Sequence, residues 1–239
     1  MYRLLRKLLW ARRTYGLRGT VRICRQQLGE IFSGLTRAGR RGRQRGIEFD
    51  AERGVETRGT VSLFDLGIDS PNAGSGLRYQ ATPPELFGQI VGGLAIPLEE
   101  FVFVDLGSGK GRAVILAAEY PFKRVVGVEF SSELHAIARR NVESCERRYL
   151  RCEQIEVVCQ DVVHFDFPDD PLVLYLYNPF LPDIVRRVVE RLERSLQAHP
   201  RPVCVVYLNP TAKGILDASR WLVPKASGKG WCVYAGTRE

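Results

Sequence analysis

The sequence predicts an α/β protein, a mostly parallel sheet with helices on both faces that closes on a C-terminal antiparallel hairpin. Three observations predict it. From residue 101 onward, short apolar runs alternate with stretches of helical periodicity. Most of the runs have a continuous apolar interior rather than an alternating pattern, as strands covered on both faces require. At the first strand-to-helix junction, glycines recur at alternate positions in Asp105-Leu106-Gly107-Ser108-Gly109-Lys110-Gly111, where open α/β sheets receive ligands.

In chain order, residues 2–15 read as a short amphipathic helix. Leu4/Leu8 and Leu5/Leu9 recur at i, i+4 among Arg3, Arg6, Lys7, Arg12 and Arg13. Residues 37–46 mix Arg and Gly and read as a flexible joint. Residues 47–80 carry Gly, Asp and Pro-Asn punctuation with few periodic apolar positions, a loop-rich lead-in. Thr82-Pro83-Pro84 opens a helix that reaches Leu94, with Thr82 as its cap and a proline in the first turn. Strands follow at 101–105, 124–129, 155–159, 172–177 and 203–208, with helices at 112–120, 132–145 and 182–196 between them. Residues 220–225 and 231–235 flank Ala226-Ser227-Gly228-Lys229-Gly230 as a hairpin. The chain shows no internal repeat. It divides into a basic helical or flexible arm at 1–46, a lead-in with a covering helix at 47–100, and the sheet-bearing body at 101–239.

With 239 residues, 45% of them hydrophobic, the chain is long enough for one sizeable core. Its dense aliphatic blocks exclude disorder throughout. The longest clean apolar run, Ala113 to Ala118, falls far short of the roughly 20 residues of a membrane-spanning helix. The net charge of +8 is unevenly placed. Residues 1–46 hold 12 Arg and one Lys against a single acid, Glu30, whereas the remainder is net acidic. The basic excess therefore belongs to the arm, and contact with nucleic acid or an anionic membrane surface is confined to it. A solvated extension packed beside the substrate cleft is the plainer alternative. Gly-separated Arg without stacking aromatics after Trp10 and Tyr15 argues against a dedicated RNA module.

The six cysteines contain no Cys-x-x-Cys and no paired His ligands, so neither a disulfide framework nor a metal site is expected. A reducing, cytoplasmic compartment suits free thiols. The Arg-rich, acid-poor start leaves mitochondrial import open.

The glycine motif can be read against three chemistries. A phosphate-cradling P-loop needs Gly-x-x-x-x-Gly-Lys-Ser/Thr; here Val104 holds the first glycine position and Gly111 the hydroxyl position. That reading fails. A dinucleotide fingerprint needs Gly-x-Gly-x-x-Gly/Ala, and Arg112 stands at its third position. That reading makes NAD a poor ligand. The third is carried by a resemblance.

Asp105-x-Gly107-x-Gly109-x-Gly111 at the end of a first strand resembles motif I of the class I S-adenosylmethionine-dependent methyltransferases, a Rossmann-like family. The resemblance runs over about residues 79–236, because later signposts appear in order. The second strand ends in Glu129, followed by Phe130, where an acid can accept from both ribose hydroxyls. After the third strand stand Asp161 and Val162, at the family's adenine position. The resemblance implies that Gly107, Ser108, Gly109 and Gly111 wrap the methionine half of S-adenosylmethionine and that Asp105 neutralises its amino group. Upstream, Tyr79-x-x-Thr82-Pro83 resembles the segment that closes over the cofactor in the non-SET, seven-strand protein lysine methyltransferases. Tyr177-Asn178-Pro179-Phe180 resembles the Asn/Asp-Pro-Pro-Tyr/Phe signature of amino-group methyltransferases, with one proline rather than two. It implies that the Asn178 side chain and the Tyr177 carbonyl accept from an amine while Phe180 closes over it. Expected function is thus N-methylation of an amine, on a protein lysine or a small molecule, with S-adenosylmethionine as donor and no metal. The alternative is an S-adenosylmethionine-binding protein without transfer activity, acting through its arm. His135, His164 and His199 read as structural or solvated side chains.

Overall fold

The computed structural model of the chain describes residues 36–61, 79–177 and 180–236. Its body strands are β3 (Val102–Leu106), β4 (Arg124–Glu129), β5 (Ile155–Cys159), β6 (Leu172–Tyr177), β7 (Val203–Leu208), β8 (Leu222–Gly228) and β9 (Trp231–Gly236), preceded by a two-residue pair, β1 (Thr60–Val61) and β2 (Tyr79–Gln80). Helices are α1 (Arg37–Arg53), α2 (Pro84–Gly92), α3 (Arg112–Ala118), α4 (Ser132–Ser144), α5 (Pro182–Ala198) and α6 (Lys213–Asp217).

The body strands form one sheet in the order β5-β4-β3-β6-β7-β9-β8. The first five are parallel, β9 runs against β7, and β8 runs against β9, so six strands share one direction. Continuous apolarity is explained by two covered faces. Val102, Val104 and Leu106 of β3 pack in a cluster with Ile184, Val185, Val188 and Leu192 of α5. Phe103, between them, packs in the opposite cluster with Phe87, Ile90 and Val91 of α2 and the Ala113 to Ala118 stretch of α3. Every residue of β3 is buried.

Chain order reverses direction at β3, with β4 on one side and β6 on the other. Such a switch point leaves a crevice beyond the carboxyl ends of the strands. Into that crevice the fold delivers the loop after β3, Glu129 at the end of β4 and Tyr177 at the end of β6.

The structure differs from the sequence reading in several places. Residues 37–46, expected as a flexible joint, are helical, and α1 continues past residue 46 into the expected loop-rich lead-in. Thr36 caps it by accepting from the Gly39 N–H, and Gly54 ends it in the left-handed region, with φ 69°. Tertiary contacts outweigh three interior glycines: the Phe49 ring lies between the guanidiniums of Arg53 and Arg112, at 4.1 and 4.0 Å. Thr82 is not the cap of α2, which starts after Pro83. The C-terminal hairpin turns on Lys229–Gly230 alone, because β8 continues to Gly228, whose missing side chain leaves room for the Trp231 ring. The helix α6 was not foreseen. The amphipathic helix expected at 2–15 lies outside the described residues.

Candidate functional site

The site is built on the turn between β3 and α3. Gly107, Gly109 and Gly111 all sit at positive φ, 78°, 56° and 83°, which side chains rarely tolerate. The turn is fixed from below by β4: the N–H groups of Gly107 and Ser108 both donate to the Val128 carbonyl, at 2.8 and 3.0 Å. Gly111 then forms the N-cap of α3, and its N–H donates to Ser108 O.

Two carboxylates face each other across this turn. Glu129 is 3% exposed and accepts from the Gly109 N–H at 2.8 Å and the Ser131 N–H at 2.9 Å. Burial raises its pKa to about 7 despite those donors. Asp105 is equally buried, and no donor among the described residues hydrogen-bonds it. Burial, with the nearby Glu129 charge added, raises Asp105 to about 8. A buried carboxyl with no cation beside it is a strong acceptor without a donor.

Above the turn lies Tyr79. Its hydroxyl donates to Thr57 O at 2.6 Å, and its ring covers Gly109 so closely that a Cβ there would come within 2.0 Å of the ring. Burial pushes the Tyr79 and Tyr175 hydroxyls far above the usual tyrosine range, so neither serves as a base near neutral pH. Gly109→Ala is therefore expected to lower stability by about 1–2 kcal/mol from the positive φ alone. It also tips the Tyr79 ring off the turn; a thermal melt together with near-ultraviolet circular dichroism reads both, and a native melt and spectrum would refute the contact.

Tyr79 is held by residues of the glycine turn itself. The Arg112 guanidinium donates to Thr57 Oγ1 and, at 2.9 Å, to Asp50 Oδ1. Asp50 accepts in addition from the N–H and hydroxyl of Thr57 and from the Arg58 N–H. Lys110 Nζ donates to Arg58 O at 3.1 Å, and Asn141 bridges Lys110 O to the backbone of Glu56. Lys110 and Arg112 thus clasp residues 56–58, which support Tyr79.

One cavity collects most of the residues expected from the sequence: Tyr79, Thr82, Asp105, Gly107, Ser108, Gly109, Glu129, Phe130, Tyr177 and Phe180 all line it. Thr82 hydrogen-bonds there to the Tyr175 hydroxyl at 3.0 Å. Gly111, Asp161 and Val162 do not line it. Gly111 serves the turn, Asp161 accepts from the Val163 N–H in its own loop, and Val162 is buried in the core. Asn178 and Pro179 lie outside the described residues. Sequence reasoning missed Gln80, Arg112, Ala113, Leu134 and Tyr175 as lining residues. Arg112 was legible as the residue following Gly111. Among the described residues no His lines the cavity; His135 contacts Val157 O, and His199 stands 3.9 Å from Asp169 at the surface.

Strand order and glycine turn are those of the Rossmann-like, class I methyltransferase fold. Residues 103–199 match the family described as "Methyltransferase domain", and S-adenosylmethionine is the methyl donor of that class. No curated protein matches the chain. Among solved structures it is similar to an RNA methyltransferase from Salinibacter ruber in complex with S-adenosyl-L-homocysteine, at 27% identity over 66% of this chain and 92% of that one, with a TM-score of 0.46. It is also similar to magnesium protoporphyrin IX methyltransferase from Synechocystis PCC 6803 with S-adenosylmethionine bound, at 14% identity over 65% and 79% of the two chains, with a TM-score of 0.49.

The residues present suit this donor. The unpaired Asp105 carboxyl matches an ammonium, and each Glu129 oxygen, already holding one N–H, retains a lone pair for a hydroxyl.

Proposed function

We propose that the protein methylates an amine nitrogen, on a protein lysine or a small molecule. The observation that carries this reading is the aromatic wall at the carboxyl end of β6, where Tyr177 and Phe180 line the same cavity as Asp105 and Glu129. When bound, S-adenosylmethionine would supply a sulfonium methyl group, the new C–N bond forming in line as the C–S bond breaks and S-adenosylhomocysteine leaves as a neutral thioether. Asp105 would pair with the donor's amino group, Glu129 would accept from its ribose hydroxyls, and Tyr79 and Thr82 would close over its methionine end. Asp161 and Val162 would border the adenine from outside the cavity.

An amine must be neutral to attack. Desolvation between Tyr177 and Phe180 lowers the pKa of an incoming ammonium and favours the neutral form. The Asn178 side chain and Tyr177 carbonyl would accept from the remaining N–H groups and aim the lone pair. Alignment at about 3–3.5 Å supplies much of the acceleration, so no side-chain base is needed in the cavity.

The test is transfer of labelled methyl to amine-bearing peptides and small molecules by wild type and Asn178→Ala. The variant is expected to lose roughly two orders of magnitude in kcat while its affinity for S-adenosylhomocysteine stays within about twofold. Unchanged turnover on an identified acceptor would remove Asn178 from the site. Cofactor binding without transfer to any amine would favour the non-catalytic alternative.

A further inference from the structure

A second cavity opens beside the first, between α1 and the Ala81 to Glu85 segment, and the two share Thr82 and Arg112 in their walls. Its volume is about 280 Å³, against roughly 30 Å³ for one water. Arg43, Arg45, Arg58 and Arg112 line it, with Glu85 as the one acid of its wall among the described residues.

The charges in this groove are only partly matched. Arg45 pairs with Glu85 at 2.7 Å across the groove, both side chains more than half exposed. Arg58 and Arg112 share one carboxylate, Asp50, at 3.2 and 2.9 Å. Arg43 has no hydrogen-bond or ion-pair partner among the described residues and stands exposed. Four guanidiniums thus face two carboxylates, which leaves an excess suited to a dianion.

The floor of the groove explains a sequence feature that costs stability elsewhere. Gly42 and Gly46 stand one turn apart on α1, and both line the groove. Glycine inside a helix costs about 1 kcal/mol relative to alanine. Packing does not require it at Gly42, where a Cβ would meet nothing within 4 Å. At Gly46 a Cβ would approach only Arg58 and Arg112, at 3.9 and 4.0 Å. The missing side chains keep the helix backbone open to a ligand between the arginines.

We infer that this groove binds a phosphate group carried by the methyl acceptor, held by Arg43, Arg45 and Arg58 beside the transfer cavity. Guanidinium forks match phosphate oxygens in pairs, and clustered arginines favour a phosphate over a single carboxylate. The acceptor part of this inference rests on the methyl-transfer reading; the phosphate site does not.

Calorimetric titration with inorganic pyrophosphate, and with an oligoribonucleotide of about ten nucleotides, separates the two. Wild type is expected to bind at least one of them. Arg43→Gln combined with Arg45→Gln should weaken that binding at least about tenfold. Gly42→Leu, which fills the floor without changing charge, should do the same. Both variants should keep S-adenosylhomocysteine affinity within about twofold, which shows that the fold is intact. Tighter binding of the oligonucleotide, with a steep salt dependence, identifies a nucleic-acid acceptor; comparable binding of pyrophosphate identifies a small phosphorylated one. With an identified acceptor, the charge variant should raise KM about tenfold and leave kcat unchanged. Absence of binding to wild type, or equal binding by wild type and both variants, would overturn the inference. Either result stands whether or not an amine proves to be the methylated group.

Discussion

Asp50→Asn is expected to cost about 3–5 kcal/mol of folding stability and to weaken S-adenosylhomocysteine binding strongly, although residue 50 does not line the cofactor cavity. Asp50 is 5% exposed and Arg112 2% exposed. Their contact at 2.9 Å is a buried ion pair joining α1 to the first turn of α3. Burial pulls the Arg112 guanidinium below the usual arginine range, and the Asp50 charge works against that pull. Asparagine keeps the shape but leaves Arg112 buried beside a neutral group. It also presents an amide N–H to the Thr57 and Arg58 N–H groups that Asp50 now accepts from. The Thr57 segment loosens, and the Tyr79 hydroxyl loses its fixed acceptor, Thr57 O.

The stability loss is read from denaturant unfolding. The cofactor effect needs a measurement that general destabilisation does not move. S-adenosylhomocysteine should lose affinity by about tenfold or more, whereas 5′-methylthioadenosine, which lacks the amino acid end that we propose Tyr79 covers, should lose at most about twofold. Equal losses for both ligands would mean that Asp50 acts on the fold alone. Arg112→Lys keeps the charge but not the fork, and is expected to give a smaller loss with the same ligand selectivity.

This network marks the boundary of what the sequence discloses. The strands at 172–177 and 203–208 are read correctly because burial on both faces leaves a purely local imprint, an unbroken apolar run, whereas the edge strand at 155–159, with no buried residue, is read from its β-branched residues. Asp105, the glycines and Glu129 are legible for a similar reason, since turn geometry and strand ends restrict residue type locally. Lys110 and Arg112 carry no local sign of their partners. They stand beside the glycines, yet they grip residues 56–58, more than 50 positions away in sequence. Nothing near Asp50 announces a partner 62 residues downstream. The arm helix α1 was misread because Arg and Gly favour an open chain locally, while Phe49 and Asp50 secure the helix from its far end. Its cap residues, Thr36 and Gly54, were the available signals. Thr82 shows a subtler failure: hydroxyl residues before prolines suggest a cap, but its hydroxyl is taken by Tyr175, 93 positions on.

The affinity for S-adenosylhomocysteine is expected to rise with pH between about 6 and 8 and then level, and Asp105→Asn to abolish most of that rise. The cause is the same carboxyl in two states. Without a ligand, burial holds Asp105 near 8, so the group is mostly protonated at neutral pH. To pair with the ligand's ammonium it must release that proton, and each unit of pH below its pKa then costs up to about tenfold in affinity. Glu129, near 7, adds a smaller contribution of its own in the same window if it ionises further on binding.

The unliganded protein should respond in the opposite sense. Its folded-state pKa for Asp105 lies above the ordinary carboxyl value, so the folded state binds a proton that the unfolded chain has already released. That stabilisation is fully present below about 4 and is lost as pH rises through about 8. Unliganded wild type is therefore expected to melt at progressively lower temperature from pH 5 to about 9, and Asp105→Asn, which has no charge to bury, to melt higher than wild type at the alkaline end. Calorimetric titrations and thermal melts across this range measure both slopes. A flat affinity profile in wild type, or a variant that retains the wild-type slope, would falsify the pairing of Asp105 with the ligand's amino group. Opposite slopes for the free and bound protein, both lost in the variant, would tie this one buried carboxyl to the cation that the fold is built to receive.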